Sequence, residues 1–160
     1  MPNVTLHDKV PLFSAPMAEN ESFCLESYLG KWIVLFFYPK DNTPGCTLEA
    51  QAFSQAQSVF KQLGADIFGI SRNSLKSHAK FSRECALTIP LISDEDESVC
   101  NLFGVMKDKK MFGKPVRGIQ RSTFIINPAG VLVTEWRGVK VEGHIEEVLA
   151  FLKAQIKNNN

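Results

Sequence analysis

The stretch that most constrains this chain is Ile33-Val-Leu-Phe-Phe-Tyr38 followed by Pro39-Lys-Asp-Asn-Thr43-Pro44-Gly45-Cys46-Thr47-Leu-Glu49. A short, unbroken apolar run rich in β-branched and aromatic side chains predicts a buried strand. Thr43-Pro44 ahead of a helical pattern predicts a helix start, with Thr43 as N-cap, Pro44 at the first helical position and Cys46 at the third. A thiol placed there lies beside unpaired backbone N–H groups and the positive end of the macrodipole, which favour thiolate over thiol. The strand is expected to deliver a nucleophile.

The 160 residues suit one domain of ordinary size, spanning residues 1–160, and a hydrophobic content of 44% is enough for a real core. Eighteen basic against seventeen acidic residues leave a formal net charge of +1, which builds no broad field for a nucleic acid. The first residues lack the basic-then-apolar pattern of a signal peptide, and the run at residues 33–38 is far below the ~20 residues a membrane helix needs. A cytoplasmic protein is expected. Cys24, Cys46, Cys85 and Cys100 are widely spaced, which favours reduced, reactive thiols over a structural disulfide framework.

Residues 10–23, with Pro11, Pro16 and a polar tip at Glu19-Asn-Glu-Ser22, predict extended segments joined by a turn. Cys24, between Phe23 and Leu25, is expected to be a small strand side chain. Leu48, Ala52, Phe53, Ala56, Val59, Phe60 and Leu63 recur at three and four, and Gly64 stops the pattern, so an amphipathic helix follows Cys46. Asp66-Ile-Phe-Gly-Ile-Ser71 is a second buried strand, giving a βαβ unit with Cys46 at the carboxyl end of a parallel strand, where open α/β sheets place their sites. Residues 75–87 predict a second helix capped by Ser74, with Ala79, Phe81, Cys85 and Ala86 to one side. Residues 91–94 form a short strand, and acidic Asp94-Glu-Asp-Glu97 precedes a short helix over 99–103. Residues 107–115 are expected to be a mobile loop. Arg121-Ser-Thr-Phe-Ile-Ile-Asn127 and Val131-Leu-Val-Thr-Glu-Trp136 flank the turn sequence Asn127-Pro-Ala-Gly130 and form a hairpin. A closing helix over 143–156 turns Ile145, Val148, Leu149, Leu152 and Ile156 inward, and a frayed tail at 158–160 ends the chain. The order is that of an α/β, thioredoxin-like fold: a central mixed sheet flanked by helices, with extra N-terminal strands.

A redox dithiol of the Cys-x-x-Cys kind is disfavoured, because the positions three before and three after Cys46 are Thr43 and Glu49. What remains is a lone cysteine in Pro39-x-x-x-Thr43-x-x-Cys46. Tyr38-Pro-Lys-Asp-Asn-Thr-Pro-Gly-Cys-Thr-Leu-Glu49 resembles the peroxiredoxins, and within them the peroxiredoxin Q or bacterioferritin comigratory protein subfamily. Ser77-His78, Pro90-Leu-Ile-Ser-Asp94, Gly118-Ile-Gln-Arg121-Ser-Thr-Phe124 and Gly143-His144 look like the same subfamily, so the likeness runs from about Val10 to Leu152.

The resemblance implies a thiol-dependent peroxidase that reduces hydrogen peroxide and organic hydroperoxides in antioxidant defence. Cys46 would be the peroxidatic nucleophile that becomes a sulfenic acid. Donors must face the charge that develops as the O–O bond breaks, and the Thr43 hydroxyl and the Cys46 backbone N–H can supply them. By resemblance Arg121 reaches across to Cys46, favours its thiolate and polarises the peroxide, Pro39 covers the pocket, and Glu49 orients the arginine. Read alone, Arg121 is a solvated charge before a strand, Pro39 a strand terminator and Glu49 a dipole-compensating acid.

A sulfenic acid must be condensed with another thiol before further oxidation. Many members of the subfamily carry that resolving cysteine five residues after the first, where this chain has Gln51. Another group carries it on the following helix, at a place corresponding to Ser82, and Cys85 lies one turn further on. Cys85 is therefore the resolving candidate, Cys100 the second choice, and a one-cysteine mechanism with an external thiol the remaining alternative. A Cys46–Cys85 bond would require local unwinding of both helices. The expected reductant is thioredoxin or a similar dithiol, and the resemblance favours a monomer. His7, His78 and His144 show no ligand spacing, so no metal or other cofactor is expected, and His78 and His144 are expected to be structural or exposed. The competing classes are a non-enzymatic redox sensor and a binding module whose cysteine is inert.

Overall fold

Successive side chains of a strand point to opposite faces, so an apolar run without a polar member requires cover on both sides. The computed structural model, which describes residues 4–18 and 21–158, supplies it. In chain order the elements are β1 (Ser14–Ala18), β2 (Glu21–Cys24), a 3-10 turn (Leu25–Tyr28), β3 (Trp32–Phe37), α1 (Pro44–Gln62), β4 (Ala65–Ser71) and α2 (Leu75–Glu84). There follow β5 (Leu91–Ser93), α3 (Ser98–Phe103), β6 (Met106–Met111), β7 (Lys114–Ile119), β8 (Ser122–Ile126), β9 (Leu132–Arg137) and α4 (His144–Asn158).

Five strands form one sheet in the order β5-β4-β3-β8-β9, with β3 parallel to β4 and antiparallel to β8. This is the expected thioredoxin-like arrangement, and β1 and β2 pair as an added antiparallel hairpin. Residues Glu19 and Asn20 of the expected hairpin tip, and the last two residues of the expected frayed tail, lie outside the described residues; Asn158 itself ends α4. All of β3 is buried. Ile33, Leu35 and Phe37 face a cluster with Phe23, Cys100, Phe103 and Phe124, while Val34, Phe36 and Tyr38 face Phe53, Phe60, Val148 and Leu152 beneath α1 and α4.

Three elements depart from the sequence expectation. The buried side of α1 carries Cys46, Glu49, Ala50, Phe53 and Phe60, whereas Leu48 is 62% exposed and Val59 lies at the surface. The stripe is rotated because Glu49 points inward to a partner distant in sequence. Helix α2 stops at Glu84 rather than running to residue 87: Cys85 caps it, Ala86 adopts a left-handed backbone (φ 53°), and the Leu87 N–H closes the end on the Ser82 carbonyl at 2.9 Å. Its buried residues are His78 and Phe81, while Ala79 is exposed.

Residues 107–115, expected as a loop, form most of an antiparallel ribbon, β6 against β7, whose turn at Phe112-Gly113 has positive φ at both positions. The strand residues 107–110 and 114–117 are exposed, so no alternation marks them as strands. The ribbon is pinned at its base by Arg117, which bonds to Glu97 and donates to Asn101 Oδ1 at 3.2 Å. Among the described residues no helix is long and apolar enough to cross a membrane.

Phe36 is fully buried and stacks on Phe53 at 4.5 Å between centroids, joining β3 to α1. Truncation to alanine opens a cavity under the helix that carries Cys46. Phe36→Ala is expected to lower unfolding free energy by about 3–5 kcal/mol in urea titrations, and a loss below about 1 kcal/mol would contradict this packing.

Candidate active site

The β3–α1 connection turns the chain at the carboxyl end of the parallel strands. Thr43 is the N-cap with extended backbone (φ −85°, ψ 152°), and Pro44 opens the helix with the fixed φ it requires. The first intrahelical bond runs from the Thr47 N–H to the Thr43 carbonyl at 2.9 Å, which leaves the amides of Gly45 and Cys46 ahead of the ladder. Cys46 sits in this turn with 1% of its surface exposed.

Arg121, immediately before β8, reaches across to α1. One guanidinium nitrogen, Nη2, lies 3.4 Å from Cys46 Sγ, and the other, Nη1, donates to Glu49 Oε1 at 2.7 Å. Cys46 and Glu49 are three apart and share a helix face, so a planar guanidinium can span both. Gly45 makes room for it: a Cβ there would come within 3.2 Å of Nη2. The Arg121 carbonyl accepts from the Val139 N–H at 2.9 Å, which anchors the backbone from which the side chain extends.

The charges of this unit are set by burial and by one another. Burial pushes the Glu49 carboxyl up to about 7, and the Arg121 charge only partly offsets it. Its Oε2 has no hydrogen-bond partner. Burial works against the Arg121 cation, and Glu49, followed by Cys46, outweighs it and raises the guanidinium above its ordinary value. The Thr43 hydroxyl donates to the Lys40 carbonyl at 2.8 Å. Its proton is thus engaged within the loop, and its oxygen lone pairs remain available to a ligand.

Residues 6–134 match the AhpC/TSA family. Among curated relatives, peroxiredoxin Bcp of Xanthomonas campestris pv. campestris is 50% identical over 133 residues, 83% of each chain. Peroxiredoxin Bcp of Bacillus subtilis is 43% identical over 150 residues, 94% of this chain and 96% of the relative. The solved structure of a cysteine-to-serine mutant of Xylella fastidiosa PrxQ superposes with a TM-score of 0.90 at 40% identity, covering 97% of this chain and 99% of that one. This chain is a peroxiredoxin of the AhpC/TSA family.

The peroxiredoxin is a thiol-dependent peroxidase, and its four cysteines are free thiols. Cys85 lies half-buried at the end of α2, packed against the same apolar cluster as Cys46. Its carbonyl accepts from Gln51 Nε2 at 3.4 Å, so the end of α2 rests on α1 beside position 51. Cys100 is fully buried in the cluster on the other face of the sheet, and its amide donates to Asp94 Oδ2 at 2.7 Å. Burial, with Asp94 next, pushes the Cys100 thiol far up. The sheet thus stands between Cys100, the second choice of resolving cysteine, and Cys46.

Tyr38, Asp41, Ser77 and His78 form a buried polar cluster beside the site. His78 is 3% exposed. The signal for it is its spacing three before Phe81, which puts the histidine on the inward side of α2. His144 is also buried, with Nε2 2.8 Å from Thr123 Oγ1. Among the described residues no group of three or more His, Cys, Asp or Glu could hold a metal ion.

A carboxyl raised from 4.5 to about 7 binds its proton more tightly in the folded chain. Stability from this group is therefore fully present below about pH 4.5 and is lost as pH rises through about 7, by at most about 3 kcal/mol. Glu49→Gln is expected to flatten the decline in urea midpoint between pH 5 and pH 8, and an unchanged profile would refute the assignment.

Proposed function

We propose that Cys46 is the peroxidatic nucleophile and that Cys85 resolves its oxidised form. The observation that carries this reading is the Arg121 guanidinium held between Cys46 Sγ and Glu49. A cation there lies beside the sulfur and where negative charge appears as the peroxide cleaves. The thiolate attacks one peroxide oxygen, the O–O bond breaks, and the other oxygen leaves as hydroxide or alkoxide and takes up a proton. Cys46 becomes a sulfenic acid. Thr43 Oγ1, its own proton committed to Lys40, accepts the peroxide O–H, while Arg121 and the free Cys46 amide donate to the oxygens. The Pro39 ring limits water at the sulfur. Glu49 holds Arg121 in register.

The Cys85 thiol then attacks the sulfenic sulfur, water leaves, and a Cys46–Cys85 disulfide forms. Two electrons from a thioredoxin-type dithiol restore both thiols. Cys46 lies in the first turn of α1 and Cys85 at the end of α2, so the bond requires both ends to open. Left-handed Ala86 makes the α2 end the weaker of its turns, since a Cβ disfavours that backbone. Hydrogen peroxide and organic hydroperoxides are the substrates. Four free thiols fit a reducing compartment, the cytoplasm, and no step of the cycle needs a second copy of the chain.

One equivalent of hydrogen peroxide followed by non-reducing peptide mass spectrometry is expected to give a Cys46–Cys85 crosslink. Cys85→Ser should leave a trappable Cys46 sulfenic acid and abolish thioredoxin-driven turnover, and Cys100→Ser should change neither; an untouched Cys46 would sink the reading. Removing the charge with Arg121→Ala should slow peroxide oxidation of Cys46 by about 10²- to 10³-fold, the effect of losing one preorganised donor. Stopped-flow oxidation at wild-type rate in that variant would assign the arginine a structural role alone.

A further inference from the structure

The peptide that orients Thr43 is itself held from behind. The carbonyl of the Lys40–Asp41 peptide accepts the Thr43 hydroxyl at 2.8 Å, and the N–H of the same planar unit donates to Asn73 Oδ1 at 3.0 Å. The Asp41 side chain secures the unit further. Its carboxylate accepts from Tyr38 Oη at 2.7 Å, from Ser77 Oγ at 2.7 Å and from His78 Nδ1 at 2.8 Å. His78 Nε2 lies 3.0 Å from the Ile92 carbonyl, which can only accept, so this nitrogen donates. Asp41 and His78 are 5% and 3% exposed. Burial works to raise the Asp41 carboxyl, and the bonds from His78 and Tyr38 overcome it and hold it below its ordinary value.

A buried acid and imidazole are poor material for stability alone, because the cost of desolvating them offsets most of what their hydrogen bonds return. What the pair does is geometric. It ties the loop over residues 38–43, with left-handed Asn42 within it, to the first turn of α2 and to β5, while Asn73 Oδ1, which accepts from both the Asp41 N–H and Ser71 Oγ, links the same loop to the end of β4. In this loop Pro39 lacks an N–H, and Thr43 makes no capping bond to α1 through its side chain.

We propose that Asp41 and His78 are positioning residues for peroxide attack, fixing the Lys40–Asp41 peptide plane so that Thr43 Oγ1 presents a lone pair to the peroxide beside Cys46. The inference rests on Cys46 and Thr43 acting as described above. Neither Asp41 nor His78 touches the reacting atoms.

The test compares two reagents at Cys46, hydrogen peroxide and iodoacetamide, by quenched-flow mass spectrometry. Alkylation needs a reachable thiolate but no Thr43. His78→Gln should slow oxidation about 10²-fold and Ser77→Ala about 10-fold, with alkylation within about 3-fold of wild type in both, the scale of a small misplacement in a near-attack geometry. Adding Thr43→Val to either variant should cost less than it does in the wild type, because the effects share one route. Ser77→Ala removes a single neutral donor and keeps the comparison available where His78→Gln fails to fold. Parallel slowing by both reagents, an unchanged peroxide rate, or effects that multiply fully with Thr43→Val would overturn the inference. Wild-type protein in which peroxide spares Cys46 would instead overturn the proposed function.

Discussion

The structure depends on a strand with no polar face. Because β3 is buried on both sides, it can lie only in the interior of the sheet, and it does so between β4 and β8 with helices or loops above and below. That position determines where the chain must emerge. A parallel neighbour requires a crossover, the crossover is α1, and the first turn of α1 therefore begins at the sheet's carboxyl edge. The location of Cys46 follows from strand burial before any chemistry is considered.

Electrostatics then acts on that location through residues far away in sequence. Arg121 and Glu49 are separated by 72 positions, and the antiparallel pairing of β8 on β3 brings them together at the helix start. The arrangement leaves little slack. Glycine at position 45 lets the guanidinium approach, and a carboxyl with one unpaired oxygen holds it in place. The polar cluster around Asp41 does for the preceding loop what Glu49 does for the arginine: a buried acid fixes a group that a solvated one would leave free.

The β3–α1–β4 unit is legible in the sequence because its periods are long and Thr-Pro and Gly punctuate its ends. The hairpin of β8 and β9 is legible for the same reason. The inward turn of Glu49 is not, since an acid on an apolar helix side makes sense only once Arg121 is known to face it. The end of α2 is hidden because Ala86 takes a left-handed backbone with no glycine to announce it. The β6–β7 ribbon leaves no trace, having exposed residues along both strands and Phe-Gly where Asn-Gly would signal a tight turn. The pairing of Arg121 with Cys46 comes from family likeness and not from any local pattern.

The sheet that carries Cys46 also divides the molecule's sulfur. Cys46 and Cys85 belong to the cluster on one side, and Cys100 is sealed within the other, shielded by β3 and its neighbours. Two thiols thus share one side of the sheet, and the backbone of β3 and its neighbours stands between them and Cys100. Three of the four cysteines are thereby sorted by a wall of backbone onto separate faces. Topology sets Cys100 apart from the other two, with no need for differences in intrinsic reactivity.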